Sequence, residues 1–563
     1  MKFDEMTKEE LIEYINSLNE EKNGKYGLIW DREKEPEKIV VDCDKYIPIL
    51  SEDRKKTIEN DGNDNILIEG DNFHSLSVLN YTHHESIDVI YIDPPYNTGN
   101  KDFIYNDRFI DLEDSYRHSK WLNFMEKRLR LARNLLKDTG TIMLSIDDNE
   151  FAQLKLLCDK IFGDRNFIGN FIVNAAPNGR DYGAMAKQHE YCLLYAKNIK
   201  EVYSRKIKDT DKKFTYQDEI GGFNIHPLYN SNVAFTPANR PNLYYPFYVN
   251  PTPKEDGFYE ISLEKENGYI EVYPPMSVKG DAQFVWRWGR VKSEENINKE
   301  IIGHKVNDEF RIVQKMRHSE KLIRSLLIDS IYSTRRGTAE LEKILGKKTF
   351  TYPKPKDLIK VLIEATCPDG GVVLDFFAGS GTTGQAVLEL NKDDSGNRRF
   401  IICTNNEGGI CTKVTYPRLK NIMNGLNKCE KLGGNLKYFN TEFVSNNGTR
   451  DQLYYDLTEK CIPMLCVKSD TYELVEKNKE FAIYSNLDKT EYSCVYFDIF
   501  GEYFESFLEK VKSINEHKNL YIFSLSEYIS EENFKGITNY SIEPIPYKIL
   551  DLYKNIVTMS KEN

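Results

Sequence analysis

Short apolar segments alternate with helical segments in two separate blocks of this chain, and that alternation constrains its fold most. In the first block, "NILIEGD" and "SIDVIYID" are typical of strands, because each is too short for a helix and rich in β-branched residues. In the second block, "GVVLDF" and "RRFIIC" have the same character. Strands that alternate with helices predict a mostly parallel sheet covered on both faces, so we expect an α/β, doubly wound fold.

A region of different texture separates the two blocks. Between about residues 198 and 330, helical periodicity fades and Gly, Pro, Asn and Tyr become frequent, which predicts a separate, irregular inserted domain. Near the N-terminus, residues 7–10 form a capping-box pattern that predicts the start of a helix. The expected divisions are an N-terminal extension at 1–64, α/β halves at 65–197 and 331–440, the insert at 198–330, and a C-terminal α+β domain at 441–563.

Length and composition limit the class of protein. A chain of 563 residues needs more than one hydrophobic core. The formal net charge of -12 argues against a general nucleic-acid coat but leaves room for a local basic surface. We find neither an apolar run of membrane-spanning length nor the apolar core of a signal peptide, so we expect a cytoplasmic protein without membrane contact. Ten cysteines without a C-x-x-C pair predict reduced thiols and no metal site.

The segment "VVLDFFAGSGTTGQAV" carries a glycine pattern that binds nucleotide-like cofactors. Gly379, Gly381 and Gly384 have the spacing G-x-G-x-x-G between a strand and a helix expected to begin near Thr382. Such a turn lets a ligand approach the backbone closely at a helix N-terminus. Glu407, which follows the next strand, is placed to bind ribose hydroxyls. The pattern fits a nicotinamide dinucleotide and S-adenosylmethionine (AdoMet) equally well.

A second motif, Asp93-Pro94-Pro95-Tyr96, ends another strand, because two prolines cannot continue a hydrogen-bonded ladder. An exocyclic amine of a nucleobase is a poor nucleophile, since its lone pair is delocalised into the ring. A carboxylate from Asp93 and a carbonyl from Pro94 would accept its two N–H groups and localise that lone pair. Tyr96 would stack on a base taken out of its duplex. Positioning and electrostatics would then carry most of a methyl transfer.

Each motif has an ordinary structural explanation when taken alone. The glycines could form a tight turn without a ligand, and the prolines could simply end a strand. The two motifs together favour chemistry, because strand ends of such a sheet open into one crevice. A nicotinamide enzyme has no use for the second motif, so the pair favours AdoMet-dependent methyl transfer over a dinucleotide oxidoreductase.

These residues resemble the amino-methyltransferases of DNA in the circularly permuted β class, where the catalytic motif precedes the cofactor loop. More closely, the chain resembles the Mod subunit of type III restriction-modification systems. The segments that carry the resemblance include "ILIEGDNFHSL", "DVIYIDPPYNTGN", "KQHEYCLLYAK", "YPKPKDLIK" and "LDFFAGSGTT". It covers roughly residues 1–445 and implies a Rossmann-like methyltransferase fold.

The resemblance also implies roles for individual residues. It makes Asp93, Pro94, Pro95 and Tyr96 catalytic. It implies a cofactor site for AdoMet that is formed by Asp71, Thr338, Lys354, Pro355, Leu358, Asp375, Phe376, Gly379, Gly381, Thr382 and Glu407.

The insert at 198–330 corresponds by this resemblance to the target-recognition domain. Arg287, Arg290 and Lys292, near two tryptophans, are its candidate contacts to double-stranded DNA, although such clusters are more often a domain core with a solvated rim. The resemblance further implies a homodimer and, as a candidate partner, a separate restriction (Res) subunit with ATPase and nuclease activity. The chain has no Walker A loop for a motor of its own.

The sequence therefore predicts a site-specific DNA methyltransferase that modifies the N6 amino group of a flipped-out adenine, either as the modification subunit of a type III-like system or working alone. Two alternatives stay open. One is methylation of cytosine N4, although Asp rather than Ser at the start of the tetrapeptide favours adenine. The other is a DNA-binding specificity subunit that positions a partner enzyme, which would need neither motif.

Overall fold

The computed structural model describes residue 30 and residues 37–43, 45–100, 102–179, 184–209, 212–277, 282–446 and 449–561. The helix expected from residues 7–10, like most of the first 36 residues, lies outside these ranges. The chain forms two compact units. One consists of residues 206–322, and the other contains the remainder on both sides.

The first α/β block begins before the expected residue 65, because a strand already precedes it. Its helices are α1 (Lys38–Asp42), α2 (Asn72–Thr82), α3 (Arg117–Leu135) and α4 (Phe151–Phe162). Its strands are β1 (Tyr46–Glu52), β2 (Asp64–Glu69), β3 (Ile87–Ile92), β4 (Ile104–Tyr105), β5 (Arg108–Phe109), β6 (Leu136–Ile146), β7 (Phe167–Val173) and β8 (Glu190–Ala196).

The unit formed by residues 206–322 is rich in strands, so the expectation of an irregular domain was wrong. Seven of its described strands form one antiparallel sheet in the order β10-β11-β18-β17-β14-β13-β15. Turn residues between short strands had hidden this pattern, since many of the strands are only two to four residues long. The elements are β9 (Ile207–Lys208), β10 (Tyr216–Asp218), β11 (Gly221–Pro227), β12 (Tyr229–Asn230), β13 (Phe247–Pro253), β14 (Tyr259–Ser262), β15 (Ile270–Val272), β16 (Val285–Trp286), α5 (Arg290–Asn296), β17 (Ile301–Val306), β18 (Glu309–Met316) and β19 (Glu320–Lys321).

The second α/β block and the C-terminal segment complete the larger unit. The block contains β20 (Leu326–Leu327), α6 (Thr334–Leu345), α7 (Lys356–Thr366), β21 (Val372–Asp375), α8 (Thr382–Asp394), β22 (Arg399–Thr404), α9 (Tyr416–Asn424) and β23 (Asn435–Ser445). The segment after it contains α10 (Arg450–Lys460), α11 (Ile462–Ser469), β24 (Glu473–Lys477), β25 (Phe481–Ser485), β26 (Glu491–Tyr496), α12 (Phe504–Lys512), β27 (His517–Ser524), β28 (Tyr540–Pro546) and α13 (Tyr547–Lys561).

The two blocks interleave in one sheet, as the α/β pattern predicts. In the described ranges this sheet has ten strands in the order β1-β23-β2-β22-β21-β3-β6-β8-β7-β20. The central pairs from β23 to β6 are all parallel. Strands β1 and β8 run antiparallel to their neighbours. The fold is therefore a mostly parallel, doubly wound α/β sheet, with antiparallel strands toward its edges.

Helix α3 ends at Leu135, and the chain continues directly into β6. Gly140 lies inside this strand, where a Cβ atom would meet the carbonyl oxygens of Ile87, Lys137 and Asp88 at 3.0–3.1 Å. The glycine is therefore required by the close approach of β3 and not by a helix terminus.

Strand β23 crosses residue 440, where we had expected the second α/β half to end. The C-terminal segment also packs on the first block, since the hydroxyl of Tyr553 donates to the Pro48 carbonyl at 2.7 Å. In the described ranges its five strands form a sheet of their own, in the order β24 to β28.

Among the described residues, no helix has both the length and the apolar character needed to cross a membrane.

Candidate active site

Strands β3 and β21 bring the two sequence motifs to one edge of the sheet. They are adjacent and parallel, with Val89 opposite Val373 and Ile90 opposite Leu374. Their carboxyl ends therefore lie side by side, followed at once by Asp93 and by the loop after Asp375. Ligands of open α/β sheets bind at this edge.

The Asp-Pro-Pro-Tyr turn is held by the helix that follows it in the chain. The Nε1 of Trp121, which is fully buried in α3, donates to the Pro95 carbonyl at 2.7 Å. Asp93 is partly open, with 27% of its side chain exposed, but its Oδ1 atom is enclosed and accepts no hydrogen bond within the described part of the chain. A buried oxygen of this kind is costly unless a donor reaches it. The turn thus presents a carboxylate whose Oδ1 can accept a further hydrogen bond.

Lys354 is placed in direct contact with this turn. Its Nζ donates to the Tyr96 hydroxyl at 2.5 Å and lies 3.5 Å from Asp93 Oδ1. Burial raises the pKa of Asp93, and the charge of Lys354 partly offsets that effect. Although burial opposes it, the charges of Asp93 and Glu190 raise the pKa of Lys354, so the ammonium stays protonated. A lysine predicted for the cofactor site therefore also belongs to the surroundings of the catalytic turn.

The glycine loop has the backbone shape that its sequence requires. Gly379 and Gly381 adopt positive φ angles of 47° and 77°, which side chains rarely tolerate. The Asp375 carboxyl closes the loop, since it accepts from the Phe377 amide at 2.9 Å and from the Thr383 hydroxyl. Burial, with a smaller contribution from the charge of Asp93, raises the pKa of Asp375 to about 7.

Helix α9 supports the glycine loop from behind. The fully buried guanidinium of Arg418 donates from Nη1 to the Thr382 hydroxyl at 2.7 Å and to the Ser380 hydroxyl at 3.1 Å. Gly384 serves packing, because a Cβ atom there would lie 2.9 Å from Leu419 Cδ2. Only the first two glycines of the pattern have the left-handed backbone that glycine favours.

The other residues predicted for the cofactor site lie in several settings. Asp71 caps α2, since its carboxylate accepts from the Phe73 amide at 2.7 Å. Thr338 is half-buried in α6 and donates to a carbonyl of its own helix. Glu407 is exposed in the turn after β22. Buried positions are held by Phe376 within the core, Leu358 in α7, and Pro355, which caps α7.

The structure also brings residues to the site that sequence reasoning had missed. Glu190, the first residue of β8, contacts Lys354 and accepts from the Tyr96 hydroxyl at 3.2 Å. Asn97, directly after the tetrapeptide, is buried and donates to Glu150 at 2.5 Å. Burial raises the pKa of Glu150 to about 8. The one sequence signal that could have identified Glu190 is that it is an acidic residue within "KQHEYCLLYAK", a segment whose other residues indicate a buried strand.

The crevice suits a nucleoside-containing cofactor. Gly379 leaves the loop backbone open to close approach, as no heavy atom lies within 3.4 Å of the position of a Cβ there, whereas a Cβ at Gly381 would lie 3.1 Å from Thr415 Cγ2. The residues present therefore fit AdoMet.

The three residues predicted to contact DNA lie on the surface of the 206–322 unit. Arg287, Arg290 and Lys292 are all exposed, whereas Trp286 belongs to the core of the unit. Arg290 pairs with Glu264 at 2.6 Å, and the Lys292 Nζ lies 4.4 Å from the centre of the Trp288 ring. Beside them is an open groove of about 860 Å³, which Tyr244, Val291 and Lys292 help to line.

Comparisons with known proteins agree on one family. A family model described as DNA methylase (N6_N4_Mtase) matches residues 87–413. The chain is 37% identical over 350 residues to the type II methyltransferase M.KpnI of Klebsiella pneumoniae, covering 62% of this chain and 82% of that protein. It is also 37% identical over 409 residues to the EcoPI Mod subunit, a type III restriction-modification enzyme of Escherichia phage P1, covering 65% of this chain but only 62% of that protein. Among solved structures, the cytosine-N4-specific PvuII DNA methyltransferase matches with a TM-score of 0.30 and 11% identity, over 66% of this chain and 95% of that one.

Proposed function

This chain belongs to the N6_N4_Mtase family of DNA methylases, and we propose that it methylates the N6 amino group of adenine at specific sites in DNA. It is an AdoMet-dependent DNA methyltransferase by that membership. The observation that carries the choice of reaction centre is Asp93 at the carboxyl end of β3, whose enclosed Oδ1 accepts no well-formed hydrogen bond from the described residues although the Lys354 ammonium lies 3.5 Å away. An N–H group of the target amine would complete its hydrogen bonding.

The residues of the tetrapeptide would hold and activate the base. Asp93 accepts one N–H of the target amine, and the Pro94 carbonyl accepts the other. The Pro95 carbonyl is already bonded to Trp121, which keeps the turn rigid. Tyr96 offers its ring as a stacking surface for a base flipped out of the duplex. Preorganised acceptors of this kind lower the barrier because they need no reorganisation during the reaction.

The cofactor would lie against the glycine loop. When bound, AdoMet supplies an electrophilic methyl group on a sulfonium, whose sulfur keeps the electron pair of the broken C–S bond. Gly379 and Gly381 give the loop its open shape, and Asp375 holds that shape through Phe377 and Thr383. Asp93 takes up the proton that the amine loses as its new N–C bond forms. Because Asp93 is ionised before it accepts this proton, its charge state governs the rate.

Residues 206–322 would recognise the DNA sequence. Support comes from the exposed cations Arg287, Arg290 and Lys292 beside the groove lined by Tyr244, within a unit that is separate from the methyl-transfer sheet. Phosphate contacts by such cations would fix the register of the duplex, while the groove reads base edges. Given the likeness to a Mod subunit, we further propose that the protein acts as a homodimer and in a type III system with a Res subunit.

Product analysis tests the proposed function. The protein is incubated with AdoMet carrying a labelled methyl group and with double-stranded DNA, and the DNA is then digested to nucleosides. We expect the label in N6-methyl-2′-deoxyadenosine. Label in N4-methyl-2′-deoxycytidine would show that the acceptor is cytosine and not adenine, and an unlabelled digest would refute methyl transfer. Asp93→Ala should abolish transfer while AdoMet binding is retained, because Asp93 acts on the base and not on the cofactor.

A further inference from the structure

Glu190 stands at the entrance of β8 and meets two residues of the methyl-transfer site. Its Oε2 atom accepts from Lys354 Nζ and, at 3.2 Å, from the Tyr96 hydroxyl. About a quarter of its side chain is exposed, so the carboxylate faces the crevice and not the sheet interior. These three residues come from three distant parts of the chain, and only the order of the sheet strands brings them together.

These contacts fix the aromatic ring of the tetrapeptide. The Tyr96 hydroxyl is held between Glu190, to which it donates, and Lys354, from which it accepts. The same ammonium lies 4.9 Å from the centre of the Tyr96 ring. A hydroxyl held at both its donor and acceptor sites cannot rotate freely, so the ring plane is set before a base arrives. Setting the plane in advance reduces the entropy lost on stacking.

The ammonium of Lys354 also lies close to two carboxylates, those of Glu190 and Asp93. Lys354 Nζ contacts Glu190 and lies 3.5 Å from Asp93 Oδ1. If Glu190 lost its charge, the ammonium would be free to approach Asp93 more closely. Burial raises the pKa of Asp93, Lys354 lowers it, and the charge of Glu190 raises it again. The negative charge of Glu190 therefore helps to keep the pKa of Asp93 high enough for its carboxylate to accept a proton.

We propose that Glu190 is a positioning residue for methyl transfer: it anchors Lys354 and the Tyr96 hydroxyl, and so sets the orientation of the stacking ring and the position of the ammonium beside Asp93. This inference rests on the proposed methyl transfer to a base amine. Glu190 contacts Lys354 and Tyr96, so it acts on the site through these two side chains and through its own charge, which raises the pKa of Asp93.

The variant Glu190→Gln tests this role, since it keeps the size of the side chain and removes its charge. We expect the single-turnover rate of methyl transfer to fall by up to about 100-fold, as a small misplacement of a reacting group can cause. The dissociation constant of AdoMet should change little. The acid limb of the pH–rate profile should move to lower pH by about one unit, because Asp93 loses a neighbouring negative charge. Glu190→Asp, which keeps the charge, should restore the position of the acid limb but not the full rate.

The chain offers a closely matched control far from the site in sequence. Glu543 accepts from Lys468 at 2.6 Å and from the Tyr81 hydroxyl at 2.5 Å, and Lys468 lies 4.3 Å from the centre of the Tyr81 ring. The side chain of Glu543 is 23% exposed, close to that of Glu190 at 24%. Glu543→Gln thus removes the same kind of carboxylate from the same kind of Lys–Tyr pair. It should leave the pH–rate profile where it is in the wild type.

Two results would overturn the inference. One is a Glu190→Gln enzyme whose transfer rate stays within twofold of the wild type. The other is a slower enzyme whose acid limb is unmoved, which would make Glu190 merely structural. If Glu190→Gln does not fold, the transfer rate of Glu190→Asp tests the positioning role instead, because a wild-type rate in that variant would rule the role out. Each rate is expressed as a ratio to the wild-type rate, measured on whichever base the wild-type enzyme methylates. A cytosine product would therefore refute the proposed function, while the Glu190 variants would still test the role of Glu190.

Discussion

The Nζ of Lys354 lies 3.5 Å from Asp93 Oδ1, and this ion pair joins the second α/β block to the catalytic turn of the first. Each partner is buried enough for the other to control its charge. Burial raises the pKa of Asp93, and Lys354 counters that rise. In the proposed reaction Asp93 must be ionised to accept the proton of the target amine, so we expect this pair to set the pH range in which transfer occurs.

Replacing Lys354 should narrow the pH range in which methyl transfer occurs. In Lys354→Met the pKa of Asp93 loses its main lowering influence and rises, so a smaller fraction of Asp93 is ionised at neutral pH. We expect the acid limb of the single-turnover pH–rate profile to move to higher pH by about one unit or more. This direction is opposite to that expected for Glu190→Gln. Lys468→Met, at the matching Lys–Tyr–Glu cluster, should leave the profile unchanged, and a shift toward lower pH in Lys354→Met would contradict the assignment.

Substitution by alanine should affect AdoMet binding at Gly381 but protein stability at Gly384. Gly381 has a φ of 77°, so Gly381→Ala strains the loop by about 1–2 kcal/mol, and relief by loop movement should weaken AdoMet binding roughly tenfold. At Gly384 a Cβ would overlap Leu419, so Gly384→Ala should lower the free energy of unfolding by about 1–3 kcal/mol and leave AdoMet affinity nearly unchanged in the folded protein. Calorimetric titration and urea unfolding of both variants measure the contrast. Equal losses of AdoMet affinity would show that Gly384 also shapes the cofactor site.

The buried carboxyl of Glu150 should make stability depend on pH. Burial raises its pKa from 4.5 to about 8, so between these values the folded state holds a proton that the unfolded state has released. The free energy of unfolding therefore falls as pH rises through this window. Glu150→Gln cannot ionise, so it should gain stability relative to the wild type from pH 5 to pH 8.

Urea unfolding at several pH values measures this difference. Asn97 and His118, the hydrogen-bond partners of Glu150 Oε1, remain in place in Glu150→Gln. His118 titrates too, and because burial and the charge of Arg117 lower its pKa, His118→Gln is measured in parallel to separate its contribution. A stability difference between wild type and Glu150→Gln that does not change with pH would show that Glu150 is already ionised in the folded protein.

The proposed DNA surface can be tested through salt dependence. If Arg287 contacts a phosphate, Arg287→Ala should weaken binding to all sequences about equally and reduce the slope of log K against log salt by about one. Lys305→Ala removes another cation from the same unit, one that pairs with Asp308, and serves as the control. Fluorescence anisotropy with a labelled duplex at several salt concentrations gives both slopes. A loss confined to one DNA sequence would instead indicate that Arg287 reads a base.

Local patterns in the sequence were enough to determine the elements that carry the two motifs. Strand β3 ends at Ile92, directly before Asp93, because two prolines cannot donate to a ladder. Helix α8 begins at Thr382, directly after the glycine turn. In both cases the residue types at the end of a short apolar run decide where the element stops, and no distant contact is needed.

Local sequence patterns did not predict the structure where pairing with a distant strand determines it. Gly140 lies within β6, where the close approach of β3 leaves no room for a side chain. The short strands of the 206–322 unit carry too few residues for a visible period, so their sheet depends on pairing between strands far apart in the chain.

The residues of the site divide in the same way. The sequence by itself determined that Asp93, Tyr96 and the glycine loop follow strands, since chain order and residue type are sufficient for that. Only the tertiary structure decided that Glu190 meets Lys354 and Tyr96. The antiparallel placement of β8 beside β6 and the insertion of β21 beside β3 create that meeting, and both depend on the long-range order of the strands, which the periodicity of a single segment does not encode.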